Sequence, residues 1–381
     1  MKVLMGMRNR FFQEGMGMGS KKFIHGDAKI PSYDAEYFNF KAESEDFVKL
    51  DLNENLVIDA NFIKNLLISA CENIDPRLYP PPRGMLALKA ISKFYGLDEE
   101  MIIVGNGLDE LLDIIAKAFV KGGANIIIVE PTFSMYDFFV RLYGGDKLEV
   151  LLKPDFTLDV ERILELRKKA SLLILCSPNN PTGNQFKEES VKALLEEFKG
   201  LVVIDEAYVE FAKYSVLKWV KKFDNLIVLR TLSKAFGLAG MRAGFAVSNP
   251  SITESLRRIM LPFNVNSITQ KIIALVLENW VYFKKQIERI IQEREWLFKK
   301  LKEINGIKPF PSDTNFILLK ITKKGLTSSA VKEQLREKGV LVKDRGMLPL
   351  LDNCLRVSVG THRMNEIFIQ KLEEVLEDVK A

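Results

Sequence analysis

A chain of 381 residues, 47% hydrophobic and 28% charged, is long enough to bury a sizeable core and is neither a disordered nor a membrane-embedded composition. Its net charge of +5 arises from 55 basic and 50 acidic residues mixed along the whole length, so no basic stripe marks a nucleic-acid partner. Three scattered cysteines and two histidines argue against a disulfide framework, a thiolate metal site, and a histidine-based zinc site or triad.

Residues 1–47 read as a tail or arm, where Lys2, Arg8 and Arg10 stand among Met and Gly without the apolar core of a signal peptide. No run approaches the roughly 20 apolar residues of a membrane helix, and with the cysteine usage this gives a cytoplasmic expectation. Residues 48–75 hold no strong βα unit and are expected to pack on a small C-terminal domain. Over 76–270 helical patterns alternate with the unalternated apolar runs "MIIV" (101–104), "NIIIV" (125–129), "LLILC" (172–176), "LVVI" (201–204) and "LIVL" (226–229). Such runs suit strands buried on both faces. Amphipathic segments lie between them at 108–119, 160–170 and 189–198. The fold class is therefore α/β: a large domain with a mostly parallel sheet covered by helices. Residues 271–381 give an interdomain helix and a smaller α+β domain. The helical pattern of 268–304 is too long for one ordinary helix and predicts a bend, and "NFILLKI" (315–321), "GVLVK" (339–343) and "CLRVSVG" (354–360) predict strands before a closing helix.

In an open α/β sheet, ligands bind beyond the carboxyl ends of the strands. The five runs are followed there by "GNGLDE", "EPTFSMY", "SPNNPTG", "DEAY" and "RTLSK". Each has a plain alternative. "GNGLDE" alone is as easily a turn as a phosphate loop, Asp205 an N-cap, Tyr208 a helix wall, Phe133 core, and "SPNNPTG" a rigid turn. Their combination is more selective. A carboxylate at a strand end (Asp205), a phenol three residues later (Tyr208), Lys234 after the next strand and Arg242 beyond it meet the needs of pyridoxal phosphate. That cofactor requires an amine to bond its aldehyde, an anion at its ring nitrogen, and a cationic cradle for its phosphate. The small residues around Lys234 in "TLSKAFGLAGMRAGF" leave room for it.

The motifs "LDLNEN", "RLYPPPRG", "GNGLDE", "EPTFSMY", "SPNNPTGN", "DEAYVEF", "TLSKAFGLAGMRAGF" and "CLRVSVGT", in this order over roughly residues 48 to 380, resemble the fold-type I pyridoxal-phosphate aminotransferases (class I/II), and most closely the histidinol-phosphate aminotransferase group. The resemblance implies that Lys234 forms the internal aldimine and shuttles the substrate's α-proton, that Asp205 holds the pyridine nitrogen protonated, and that Tyr208 and Asn180 hydrogen-bond the ring's phenolic oxygen. It implies that Phe133 stacks on the ring, and that Arg242, the hydroxyls of Thr231 and Ser233, and the backbone amides of Leu108 and Asp109 hold the phosphate. Tyr79 resembles the tyrosine that reaches a neighbouring subunit's phosphate, which implies a homodimer. Arg356 resembles the substrate-anion arginine, with Asn55, Lys343 and Arg345 as further substrate contacts. Lys343 stands where the group places a second arginine, Leu56 where proline is common, and Leu108 where a small residue is usual.

The implied reaction is amino transfer between L-histidinol phosphate and 2-oxoglutarate. The alternatives are an aromatic or general amino-acid aminotransferase, and a threonine-phosphate decarboxylase-like enzyme, whose opening segment "FIHGDAKI" resembles. A regulator on an aminotransferase-like domain needs a winged-helix module, for which the roughly 50 residues before "LDLNEN" are too few. A nucleotide-binding protein lacks its full glycine fingerprint.

Overall fold

The computed structural model describes residues 47–72 and 74–377, so the tail expected over 1–47 lies outside the described residues except at its last position. A two-residue strand, β1 (Val48–Lys49), opens this part. The apolar runs then become strands as expected: β2 (Ile102–Gly105), β3 (Asn125–Glu130), β5 (Leu172–Cys176), β6 (Leu201–Asp205) and β7 (Leu226–Thr231). Two more join them, β4 (Asp146–Leu151) and β8 (Gly244–Ser248). The seven form one sheet in the order β2-β8-β7-β6-β5-β3-β4. Only β8 runs against its neighbours, between β2 and β7, so the five strands that carry the polar motifs all point the same way.

Why these runs show no alternation is visible in where they point. Successive side chains leave opposite faces of a strand. Leu173, Leu175, Val202, Ile204 and Val228 enter one apolar core, and Leu172, Ile174, Val203, Ile227 and Leu229 enter another on the opposite face. Both faces are therefore dry, and each fully buried aliphatic side chain contributes about 1.5–3 kcal/mol.

The second sheet is antiparallel, in the order β12-β13-β10-β9, built from β9 (Ile307–Pro309), β10 (Phe316–Ile321), β12 (Lys343–Asp344) and β13 (Cys354–Ser358). The single strand expected over 339–343 divides instead. Its first half, β11 (Val340–Leu341), pairs in parallel with β1, and its second half joins β13. This pairing fastens the start of the described chain to its C-terminal part. The long helical pattern breaks at Asn279 into helices Ser267–Glu278 and Trp280–Glu303, and the Asn279 side chain donates to Leu275 O at 2.8 Å. Among the described residues no helix is long and apolar enough to cross a membrane, and no cluster suits a metal ion.

Candidate active site

Parallel pairing sets the floor of the site. The register places Cys176 beside Asp205 and Asp205 beside Leu229, so the segments after β5, β6 and β7 leave the sheet side by side. Asp205 is 3% exposed; Oδ2 accepts from the Tyr136 hydroxyl at 2.7 Å and Oδ1 from the Ala207 amide at 2.9 Å. Burial pushes its carboxyl up to about 6, against the pull of those two hydrogen bonds. Tyr136 had no role in the sequence reading, although it lies in "EPTFSMY" one helical turn after Phe133. The two rings meet edge to face with centroids 5.6 Å apart.

Lys234 follows β7 and is half-buried; its Nζ donates to Leu52 O at 3.0 Å and lies 5.9 Å from the Tyr208 ring centroid. Burial lowers the amine to about 8, helped by the positive charges of Arg356 and Arg242. An amine held there is largely protonated at neutral pH yet has an accessible free-base fraction, as a nucleophile requires. Tyr208 is buried, packs edge-on against Phe316, and receives Asn53 Nδ2 at 3.0 Å.

At the far side, Arg356 is 3% exposed, donates from Nη1 to Asn180 Oδ1 at 2.8 Å and from Nη2 to Asp51 O, and lies over the Phe316 ring. The Asn180–Pro181 bond is cis. Lys343 stands directly opposite Arg356 in the β12–β13 pair, and Arg345 continues that chain, its amide donating to Cys354 O. Asn55, expected as a further substrate contact, lies close to the lysine segment. Its Nδ2 donates to Ala235 O at 2.9 Å and its Oδ1 accepts from Val57 N at 3.2 Å, so its amide ties the N-terminal segment to the residue after Lys234.

The third wall is a nest for an anion. Helix Leu108–Phe119 starts at Gly107, whose φ of 86° suits glycine, and the first-turn amides of Leu108 and Asp109 have no partner within the helix. A Cβ at Gly107 would stand 2.6 Å from Arg242 Nη2, so only glycine lets the guanidinium close over the helix start. Arg242 itself has φ 50° and bonds Asp109 Oδ2 at 3.0 Å. Thr231 and Ser233 bring hydroxyls 3.0 Å apart to the same side. Tyr79 is not part of this wall. It is 82% exposed and stacks on Phe263, with the neighbouring Leu78 and Leu261 also exposed.

Amine, buried carboxylate, phenol and the cradle at Gly107, which a Cβ would fill, together fit pyridoxal phosphate. Behind the site, Arg230 is 6% exposed and bridges Glu206 at 2.8 Å and Glu210 at 2.9 Å. Burial alone would lower its basicity, and the two carboxylates more than reverse that. Because Glu206 follows Asp205 and Arg230 precedes Thr231, this ion triad joins the two strand ends that carry the chemistry. Arg230→Leu strands two buried carboxylates, and chemical denaturation is expected to read a loss of about 3–5 kcal/mol; an unchanged midpoint would contradict the triad's importance.

Fold and site define the class. The profile described as Aminotransferase class I and II matches residues 45–372, and the chain belongs to that family: it is a pyridoxal-phosphate-dependent transaminase of fold type I. Within the family the chain is 37% identical over 342 residues to the histidinol-phosphate aminotransferase of Caldanaerobacter subterraneus subsp. tengcongensis, covering 89% of this chain and 96% of the relative. It is 38% identical over 341 residues to that of Flavobacterium johnsoniae, covering 88% and 94%. The crystal structure of histidinol-phosphate aminotransferase from Sinorhizobium meliloti in complex with pyridoxal-5'-phosphate superposes with a TM-score of 0.79 at 26% identity, covering 87% of this chain and 91% of that one.

Proposed function

We propose that this transaminase exchanges an amino group between L-histidinol phosphate and 2-oxoglutarate, as a step of histidine biosynthesis in the cytoplasm. The observation that carries the reading is likeness to histidinol-phosphate aminotransferases along nearly the whole length of both chains. Lys343 opposite Arg356 supports it, because two cations on neighbouring strands suit a substrate with a doubly charged phosphate ester.

When bound, pyridoxal phosphate supplies an aldehyde that captures amines and a ring that withdraws the electrons released at the substrate's α-carbon. The chain's own groups do the rest. Asp205 presents buried negative charge to the ring nitrogen, which its dry surroundings make strong. Lys234 Nζ would bond the cofactor's aldehyde carbon and, as a free amine, would take and return the proton of the substrate's α-carbon. Tyr208 and Asn180 would hydrogen-bond the phenolic oxygen, and Phe133 would stack on the ring. Arg242, the Thr231 and Ser233 hydroxyls, and the amides of Leu108 and Asp109 would hold the phosphate. Arg356, with Asn55, Lys343 and Arg345, would bind the anionic end of the substrate.

Tyr79 and its exposed apolar neighbours suit a second copy of the chain, with Tyr79 reaching that copy's phosphate nest. Both half-reactions use one site, which gives ping-pong kinetics.

With 2-oxoglutarate as acceptor, histidinol phosphate is expected to exceed phenylalanine and tyrosine by at least about tenfold in kcat/KM, the worth of roughly one charge-assisted hydrogen bond. Equal or better use of the aromatic amino acids would move the assignment to an aromatic aminotransferase. Carbon dioxide release from phosphothreonine would move it to a decarboxylase.

A further inference from the structure

Asn53 lies between β1 and the helix Ala60–Cys71, is 1% exposed, and has φ 56°. Asparagine is among the few residues that adopt this left-handed backbone at modest cost. All four of its polar groups are engaged. The backbone amide donates to Ser358 Oγ at 2.9 Å, the carbonyl accepts from Asn315 Nδ2 at 3.0 Å, Oδ1 accepts from Ser358 Oγ at 3.4 Å, and Nδ2 donates to the Tyr208 hydroxyl at 3.0 Å.

In this arrangement the Ser358 hydroxyl accepts from the Asn53 backbone amide and points its single proton to Oδ1, and the NH2 end of the side chain is directed at Tyr208. A phenol has one hydrogen, and an oxygen that accepts from Asn53 must send that hydrogen elsewhere. The charged and titratable groups around Tyr208 are Arg356 from β13, Asp205 from β6, Cys176 from β5 and Lys234 beyond β7.

We propose that Asn53 is a positioning residue that turns the Tyr208 proton into the cofactor pocket, making Tyr208 a donor to the ring's phenolic oxygen. This rests on the reading of Tyr208 given above. A donor there stabilises negative charge on that oxygen and keeps low the pH at which the bound cofactor changes colour.

The test is an absorbance titration of the holoenzyme against pH. In Asn53→Asp the atom facing Tyr208 becomes an acceptor, the proton turns toward it, and the midpoint rises by about one unit, as in Tyr208→Phe. Asn53→Gly keeps the left-handed backbone and removes the donor to Tyr208 without adding an acceptor there, so it gives a smaller rise, about half a unit. The Asn53→Asp/Tyr208→Phe double variant titrates with Tyr208→Phe alone, because the effect passes through the phenol. A wild-type midpoint in both Asn53 variants while Tyr208→Phe is shifted overturns the inference and leaves the site reading standing. A shift that Asn53→Asp adds on the Tyr208→Phe background also overturns it, as a direct charge effect. No shift in Tyr208→Phe itself overturns the role of Tyr208 and this inference together.

Discussion

Lys234→Ala is expected to lower turnover by at least about 10,000-fold while leaving the protein folded and its oligomeric state unchanged, because it removes the group proposed to bond the cofactor and move the α-proton. The fold loses little. The amine's hydrogen bond in the structure is to Leu52 O, a contact worth about 1 kcal/mol, and its removal relieves repulsion from Arg356 and Arg242. Sedimentation and thermal melting should match the parent within a few degrees. Transamination at the parent's rate would remove Lys234 from the chemistry, and a monomeric parent would remove the shared-site reading of Tyr79.

Asp205→Asn is expected to separate function from stability, since it lowers turnover by at least about 1,000-fold and yet stabilises the cofactor-free protein at neutral pH. The amide oxygen can keep the bond from the Ala207 amide, and at Tyr136 the direction reverses, the NH2 donating to the phenol oxygen. The sign follows from linkage. The folded carboxyl is raised from 3.8 to about 6, so the protonated form is favoured in the fold. Its stabilising contribution is full below about pH 4 and is lost as pH rises through 6. The loss is about 3 kcal/mol, and the variant does not suffer it. Denaturation of the cofactor-free proteins from pH 4 to 8 should therefore diverge above pH 4. Coincident curves would contradict the burial of an uncompensated charge, and undiminished turnover would contradict its role at the ring nitrogen.

The strand ends that build the site were legible because a strand covered on both faces is an uninterrupted apolar run, and its first polar residue marks the ligand edge. β4 and β8 were not. β4 is an edge strand with charged, half-exposed positions, and β8 begins inside the segment read for its arginine. Asn53 was hidden for a different reason. Its partners lie 155 and 305 residues away, and nothing in "LDLNEN" reveals a left-handed backbone. Asn55, two residues on, was the more visible candidate, and its amide is bonded to the main chain of Ala235. Local patterns report which face a residue occupies; which distant atom its side chain meets is set by the closure of the fold.

The division at "GVLVK" makes the same point. Its apolar run suggested one strand, but Val340–Leu341 follows β1 while Lys343–Asp344 follows β13. That switch of partner is what puts Lys343 across from Arg356.

The proposed chemistry requires a covalent bond between one lysine and an aldehyde cofactor. Borohydride reduction of the coloured holoenzyme, followed by digestion and peptide mass analysis, is predicted to find the pyridoxyl group on the peptide containing Lys234, with the colour lost at once. A protein that stays colourless with added pyridoxal phosphate, or that carries the group on another lysine, would contradict it.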